Sequence, residues 1–467
     1  MKFGDQRTGT GHGAEVFDPA GFRRFRSLGW TFNERTGDAH CAYGLESLDG
    51  STMLFRESFR FPNVGSAVLD ADRRSVLHRL LDHLAVAAGL SYYKLGAPAE
   101  VVVEHGQWSG DDMAYHRALL TNGLGEFCWE NDLDLLDPVW TFPVTSPGHG
   151  VAQGPLPVVM SNGPMVPVGG GKDSCVSIEE IRGAGLRPTL VTVRRFPVIQ
   201  DVIDASDLPD VAVARVLDPL IGSLVANGAL NGHVPVTAIV TWAALVAAVL
   251  GGHDAVVLSN ERSASEGNVS YRGVEINHQW SKSAEAEILL SDALGRITPS
   301  LRAFSLLRGM SELSIARNFG ANCQRYFSTF SSCNGAFRTD PARRVDRWDG
   351  TCAKCQFVFL ALATVLERAQ LESIWGVDVF SDSTVSGFHA LLGLAEWKPF
   401  ECVGEGIECR VALAIVSERS EWRSHPVVGE LCEAVRRAGF WPTAADRQVV
   451  LTPDAIVLPS PYDGVLS

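Results

Sequence analysis

Near the start of the chain, three short segments rich in aliphatic and aromatic residues are separated by polar, turn-forming residues. The segments are residues 30–32, 40–45 and 53–61, and the turns between them are residues 33–38 and 48–50. Short apolar segments divided by such turns predict consecutive β-hairpins.

The remainder of the first 150 residues completes a small α+β unit. Apolar residues recur at helical spacing over residues 73–88, and residues 99–103 are typical of a strand. Residues 1–15 are polar and glycine-rich without periodicity, which predicts a flexible arm. We therefore expect an N-terminal α+β domain over residues 16–150.

Strand-like and helical patterns alternate from residue 156 onwards. Apolar runs at residues 188–193 and 255–258 are typical of strands, and the run at 234–250 is typical of a helix. Such alternation predicts an α/β fold, in which a parallel sheet is covered by helices on both faces. Ligands of these folds gather at the carboxyl ends of the strands. We assign residues 151–317 to this domain.

The last part of the chain carries several cysteines. We expect residues 318–467 to form a C-terminal cysteine-containing α/β region, with a helix over residues 357–369. The sequence shows no internal repeat.

Composition and charge narrow the class of protein. Of 467 residues, 46% are hydrophobic and 20% are charged, which is typical of a globular enzyme. A formal net charge of −14 argues against general binding of nucleic acids or anionic membranes. The longest apolar run, residues 234–250, contains Pro235 and Trp242 and predicts a buried helix more readily than a membrane span. The N-terminus lacks the apolar segment of a signal peptide, so we expect a cytoplasmic protein with reduced thiols.

A glycine-rich string carries the first chemical signal. It consists of Gly169, Gly170, Gly171, Lys172, Asp173 and Ser174, and it lies between a strand-like run and a helical one. Glycines let backbone N–H groups face an anion, Lys172 adds positive charge, and a helix N-terminus adds its dipole. The Walker A pattern does not fit, because Asp173 stands where Ser or Thr is needed and Val166 where a glycine is needed. An ordinary glycine turn is the alternative.

The string resembles the PP-loop of ATP pyrophosphatases, which implies ATP cleavage between the α- and β-phosphates. Because we place Lys172 and Asp173 at the phosphates and not in the core, alanine variants of either are predicted to abolish pyrophosphate release and to leave the fold intact.

Polar residues follow the predicted strand at 255–258, at the edge where ligands gather. They include Ser259, Asn260, Glu261 and Arg262. Glu261 could hold Mg²⁺ together with Asp173 or act as a base, and Arg262 could clamp a phosphate or carboxylate. A solvated loop is the alternative.

Two further short segments combine ionisable side chains. His278 and Lys282 lie in a turn before a predicted helix, and Glu401 is adjacent to Cys402 just before a glycine. A histidine of this kind can serve in proton transfer or can be a hydrogen-bonded structural residue. The Glu401 segment by itself could be an ordinary loop.

Four cysteines form a second cluster of candidate ligands, namely Cys323, Cys333, Cys352 and Cys355. Their spacing permits a tetrahedral zinc site, although the first two are not a Cys-x-x-Cys pair. Buried thiols and a reactive thiolate at a helix N-terminus are the alternatives.

Several separated strings together resemble the glycopeptidyl-glutamate epimerase family, MurL, from about residue 25 to residue 416. Besides the glycine-rich string, they are Ser91-Tyr92-Tyr93-Lys94, Gly123-Leu124-Gly125-Glu126-Phe127, Ser259-Asn260-Glu261-Arg262-Ser263-Ala264, Gly267-Asn268, Cys333-Asn334, Cys352-Ala353-Lys354-Cys355 and Lys398-Pro399-Phe400-Glu401-Cys402-Val403-Gly404.

The resemblance implies inversion of the terminal L-glutamate of UDP-N-acetylmuramoyl-L-alanyl-L-glutamate in peptidoglycan biosynthesis. It implies dependence on ATP and Mg²⁺ and no pyridoxal phosphate. Adenylation of a carboxylate would make its α-proton removable. The candidates for proton transfer are His278, Glu261, Cys402 and Glu401. Lys172, Asp173 and Lys282 are further candidate catalytic residues.

Two alternatives remain open on the sequence. The glycine-rich string with a later cysteine cluster also resembles the zinc-bearing synthases that convert a deazaguanine carboxylate to a nitrile, which would make the protein a ligase. A module that senses ATP without turnover is the other alternative.

Overall fold

A computed structural model describes residues 16–62, 69–134, 139–141, 154–338 and 340–466. The predicted arm at residues 1–15 lies outside these residues. The strands are β1 (Phe22–Asn33), β2 (Asp38–Ser47), β3 (Thr52–Arg60), β4 (Glu100–Val103), β5 (Val139–Thr141), β6 (Met165–Pro167), β7 (Thr189–Val193), β8 (Asp210–Val216), β9 (Ala255–Leu258), β10 (Val269–Tyr271), β11 (Val274–Ile276) and β12 (Arg302–Ser305).

Helices cover the sheet and form most of the C-terminal third. They are α1 (Ala71–Tyr93), α2 (Gly110–Thr121), α3 (Gly125–Glu130), α4 (Lys172–Gly183), α5 (Pro197–Ser206), α6 (Leu220–Ala226), α7 (Val236–Gly251), α8 (Ala284–Ile297), α9 (Glu312–Asn322), α10 (Ala353–Leu362), α11 (Arg368–Trp375), α12 (Val385–Leu391), α13 (Gly406–Glu418), α14 (Pro426–Arg437) and α15 (Ala444–Leu451). Short 3₁₀ helices include Arg262–Ser265 and Trp280–Lys282.

Ten of the described strands form one sheet in the order β12-β9-β6-β7-β8-β3-β2-β1-β4-β5. From β12 to β8 all neighbours are parallel. The antiparallel pair β3·β8 joins this half to the meander β1–β3, so the two predicted N-terminal domains share a continuous sheet. The fold is therefore α/β with a large, mostly parallel sheet.

Two apolar cores lie on opposite faces of the parallel half. Met165 belongs to the core around α1 and α7, whereas its neighbour Val166 belongs to the core around α4, α9 and α10. Val256 and Val257 of β9 divide in the same way. Because successive strand side chains point to opposite faces, a short continuous apolar run can serve both cores.

The periodic patterns of the first half are confirmed. The predicted hairpins are β1–β3, the helical stretch 73–88 lies within α1, and the strand 255–258 is β9. The apolar run 234–250 becomes α7, whose side chains are largely buried. Among the described residues, no helix has both the length and the apolar character needed to cross a membrane.

The C-terminal region differs from its α/β prediction, because its described residues after β12 contain helices and no strand. The helix predicted over 357–369 is also too long. α10 ends at Leu362, and α11 starts after a capping box in which Glu367 and Gln370 satisfy each other's backbone N–H groups. This cap interrupts an apolar pattern that looks continuous in the sequence.

Candidate active site

A cavity of about 420 Å³ lies at the carboxyl ends of β6, β7 and β9. One wall carries the predicted phosphate loop, and the polar residues after β9 line another. Lys282, Lys354 and Cys402 also line it, although they are far apart in the sequence. The fold therefore brings these five separated segments to one site at the edge where parallel sheets bind ligands.

The glycine-rich string forms a turn from β6 into the N-terminus of α4. Gly170 has a φ of 83°, which favours glycine, and Gly171 is the N-cap of α4. A Cβ on Gly171 would lie 2.7 Å from Ser332 Oγ, whereas a Cβ on Gly169 would meet nothing within 4 Å. Gly169 therefore leaves open space over the start of α4, as an anion-binding loop requires.

Lys172 is buried and not exposed at the loop. Its ammonium forms ion pairs with the carboxylates of Asp173 and Glu312, and only 2% of its side chain is accessible. Burial alone would lower the pKa of Lys172, but the two carboxylates raise it above its usual value. The lysine is therefore a permanent buried cation that holds the loop to α9.

Glu261 is a buried carboxylate close to several charges. Burial raises its pKa, and the nearby Asp173 carboxylate adds to this effect, while Lys282 opposes it. Two carboxylates that repel each other beside a cavity could hold a divalent cation, because oxygen ligands suit Mg²⁺. Asp173 and Glu261 are the described residues that fit this role.

The polar residues after β9 divide between two environments. Ser259 and Asn260 line the cavity, and Ser259 Oγ is buried with no hydrogen-bond partner among the described residues. Asn260 Nδ2 donates to Ser305 Oγ at 3.0 Å. Arg262 instead reaches away from the cavity to the Val449 carbonyl and Asp454, each at 3.4 Å. The structure therefore brings Ser259 and Asn260, but not the Arg262 guanidinium, to the predicted phosphate site.

Cys402 lines the cavity among positively charged side chains. Lys282 Nζ is 3.2 Å from Cys402 Sγ. Burial alone would raise the pKa of the thiol, but the positive charges of Lys282, Lys354 and His278 hold that pKa well below its usual value. This positive environment favours the thiolate, the form that acts as a base or nucleophile.

His278 connects Cys402 to a carboxylate. Its Nδ1 bonds Glu126, which leaves Nε2 as the ring nitrogen available to Cys402. Burial lowers the pKa of His278, but its bonds to Cys402 and Glu126 outweigh burial and raise it to about 9. The His233 ring is tilted by 52° against that of His278, with the ring centroids 4.4 Å apart, and burial lowers the pKa of His233 to about 3. The cluster thus resembles a nucleophile, a histidine and an orienting carboxylate.

Glu401 is turned toward the start of α10, where its Oε2 accepts a hydrogen bond from the Lys354 N–H at 3.0 Å. Burial raises the pKa of Glu401. It supports the Cys402 segment and is not one of the residues that line the cavity.

Selective alkylation tests the charge state of Cys402. We expect iodoacetamide at pH 7 to modify Cys402 well before Cys432, because burial raises the pKa of the latter. Removing positive charge in His278→Gln or Lys282→Met should slow the reaction, as measured by peptide mass spectrometry. Equal rates at Cys402 and Cys432 would contradict the assignment.

The structure brings together three of the four predicted cysteine ligands. Cys333, Cys352 and Cys355 converge with the carboxylate of Asp349, and the four candidate ligand atoms lie within 4.8 Å of one another. Cys323 lies elsewhere, at the C-cap of α9, where its buried thiol is close to Glu179 and Glu180.

Some functional candidates were missed by sequence reasoning, namely Glu126, Glu312, Asp349 and Lys354. Glu126 and Lys354 lie inside strings that resemble the MurL family, so the signal for them was present. Glu312 carries no local signal, because its pairing with Lys172 is a contact across the fold. Asp349 lies three residues before Cys352, so its spacing to Cys352 and Cys355 was a local signal that was overlooked.

Comparison with known proteins identifies the relatives of this chain. The model of the MurL N-terminal domain matches residues 16–306, and that of the MurL C-terminal domain matches residues 329–446. A Salinispora tropica protein named UDP-N-acetyl-alpha-D-muramoyl-L-alanyl-L-glutamate epimerase is 42% identical over 91% of this chain and 91% of its own. A protein of the same name from Micromonospora sp. is 41% identical over 92% of this chain and 95% of its own. Another from Xanthomonas oryzae pv. oryzae is 37% identical over 88% of this chain and 90% of its own.

Proposed function

We propose that this chain, which belongs to the MurL family, is an epimerase that inverts the terminal L-glutamate of UDP-N-acetylmuramoyl-L-alanyl-L-glutamate at the expense of ATP. The observation that carries the mechanism is one cavity lined by both the glycine-rich loop and the charged Cys402. The first suits a nucleotide phosphate, and the second suits proton transfer at carbon.

The cavity has the features that a nucleotide requires. Gly169 and the N-terminus of α4 offer backbone N–H groups to the phosphates. Ser259 Oγ, buried and unpaired among the described residues, offers a further polar contact. Apolar side chains of Val193, Phe196 and Val240 form a wall that suits the adenine ring. In this proposal Asp173 and Glu261 would hold Mg²⁺, and the ion would supply neutralisation of phosphate charge.

The reaction explains why a nucleotide and a base share one site. An α-proton next to an ionised carboxylate is very hard to remove, because the product would carry two adjacent negative charges. Adenylation of the α-carboxylate removes one of these charges and releases pyrophosphate, so that the α-carbon becomes acidic enough for an enzymatic base. Hydrolysis then returns the carboxylate and releases AMP.

We assign the proton abstraction to Cys402. Its thiolate takes the α-proton, and the positive charges of Lys282 and Lys354 stabilise the negative charge that develops nearby. His278, oriented by Glu126, keeps the thiol ionised before the reaction. A second acid, protonated from solvent, then delivers a proton to the opposite face of the carbon, and the proton on Cys402 is lost to solvent, which completes the inversion and balances the two proton transfers.

An incubation in D₂O tests the whole proposal. With ATP, Mg²⁺ and the L-glutamate substrate, we expect AMP, pyrophosphate and D-glutamate that carries deuterium at the α-carbon. AMP release that requires ammonia, without inversion, would instead indicate the ligase alternative. Binding of ATP without any pyrophosphate would indicate a sensing module.

A further inference from the structure

We propose that Cys333, Asp349, Cys352 and Cys355 bind one structural zinc ion beneath the candidate active site. The four side chains come from the segment between α9 and α10 and from the first turn of α10. Cys333 and Cys355 are buried, and the other two are partly buried. Three thiols and one carboxylate form a complete set of four ligands, which is the number that structural zinc sites use.

The spacing of the ligand atoms fits a tetrahedral ion. With zinc–sulfur bonds of about 2.3 Å, two sulfur atoms of a tetrahedron lie roughly 3.8 Å apart. Cys352 Sγ is 3.9 Å from Cys333 Sγ and 3.4 Å from Cys355 Sγ. Asp349 Oδ1 is 3.3 Å from Cys355 Sγ. These separations leave room for a metal at the centre and are far longer than the roughly 2.0 Å of a disulfide.

Backbone N–H groups orient the ligands. Asp349 Oδ1 accepts hydrogen bonds from the N–H groups of Thr351 and Cys352 at 2.8 and 3.0 Å. Cys352 Sγ accepts from the N–H of Cys355 at 3.4 Å. Such outer contacts hold ligand atoms in place and stabilise their negative charge, as in other metal sites. Soft thiolates favour zinc over magnesium or calcium.

The cluster contacts both halves of the candidate active site. On one side, Ser331 donates its N–H to the Gly170 carbonyl at 2.8 Å, two residues before Cys333. On the other side, Lys354 lies between two ligands, and its N–H bonds Glu401 next to Cys402. A metal at the cluster would therefore fix the glycine-rich loop and the Cys402 segment relative to each other.

Metal analysis of the purified full-length protein tests this proposal without any turnover, so its outcome is independent of the proposed function. We expect elemental mass spectrometry to find about one zinc ion per chain. Cobalt substitution should give the visible absorption bands of a tetrahedral thiolate site. A chelator should lower the melting temperature, and added zinc should restore it.

Matched variants locate the site. Cys352→Ser and Asp349→Asn should lower the zinc content, whereas Cys323→Ser should keep it at the wild-type level, because that cysteine lies outside the cluster. Wild-type protein without zinc would overturn the proposal, even if every variant failed to fold. Loss of zinc in Cys323→Ser with retention in Cys352→Ser would overturn it as well.

Discussion

Replacing Cys402 with alanine is expected to stop inversion while ATP cleavage continues. Removing a base of this kind costs about 10²- to 10⁴-fold in rate. The glycine-rich loop does not depend on the thiol, so AMP and pyrophosphate should still form with the L-glutamate substrate. The α-proton, however, should no longer exchange with D₂O, as measured by mass spectrometry of the glutamate.

Two further variants make this test specific. Cys432→Ser alters a buried thiol in α14, outside the cavity, and should exchange at the wild-type rate. His278→Gln keeps the thiol but removes a positive charge beside it, so its rate should fall and should recover as the pH rises. Undiminished exchange of the α-proton in Cys402→Ala would show that the thiolate is not the base.

Lys172→Ala is expected to abolish pyrophosphate release and also to destabilise the fold. The second part corrects the expectation from the sequence that the fold stays intact. Lys172 is buried against Glu312, and removing one partner of a buried ion pair costs about 3–5 kcal/mol, because the other charge is left unpaired. Loss of a cation at the phosphates should lower the rate by about 10²- to 10³-fold.

The two effects of this substitution can be separated. Arg215→Ala breaks a buried ion pair with Glu57 far from the cavity and should lower the melting temperature while leaving pyrophosphate release intact below it. The double variant Lys172→Met with Glu312→Gln removes both charges and should regain stability but not activity. Turnover in the double variant would show that Lys172 does not act on the phosphates.

Patterns that depend on near neighbours were predicted well from the sequence. The short apolar segments of β1–β3, divided by turn residues, and the apolar run of α7 reflect burial along a single element, so local composition suffices. The extent of α10 was wrong because a capping box at Glu367 ends the apolar pattern without changing its composition. The predicted cysteine cluster included Cys323, which lies apart at the C-cap of α9, and omitted Asp349, which lies beside the other three thiols, because spacing in sequence does not by itself show which side chains converge.

By itself, the sequence determined the α/β class, the position of the glycine-rich loop and the resemblance to the MurL family, because each of these features depends on residues that are close together in the sequence. Only the tertiary structure decided that Glu312 pairs with Lys172, that Lys282 and His278 place positive charge beside Cys402, and that Arg262 contacts Asp454 outside the cavity. The physical reason is that charge states in a buried site depend on distances between side chains from separate elements. Those distances are set when α9, the loop after β11 and the loop before α13 meet at the sheet edge, and no local pattern encodes them.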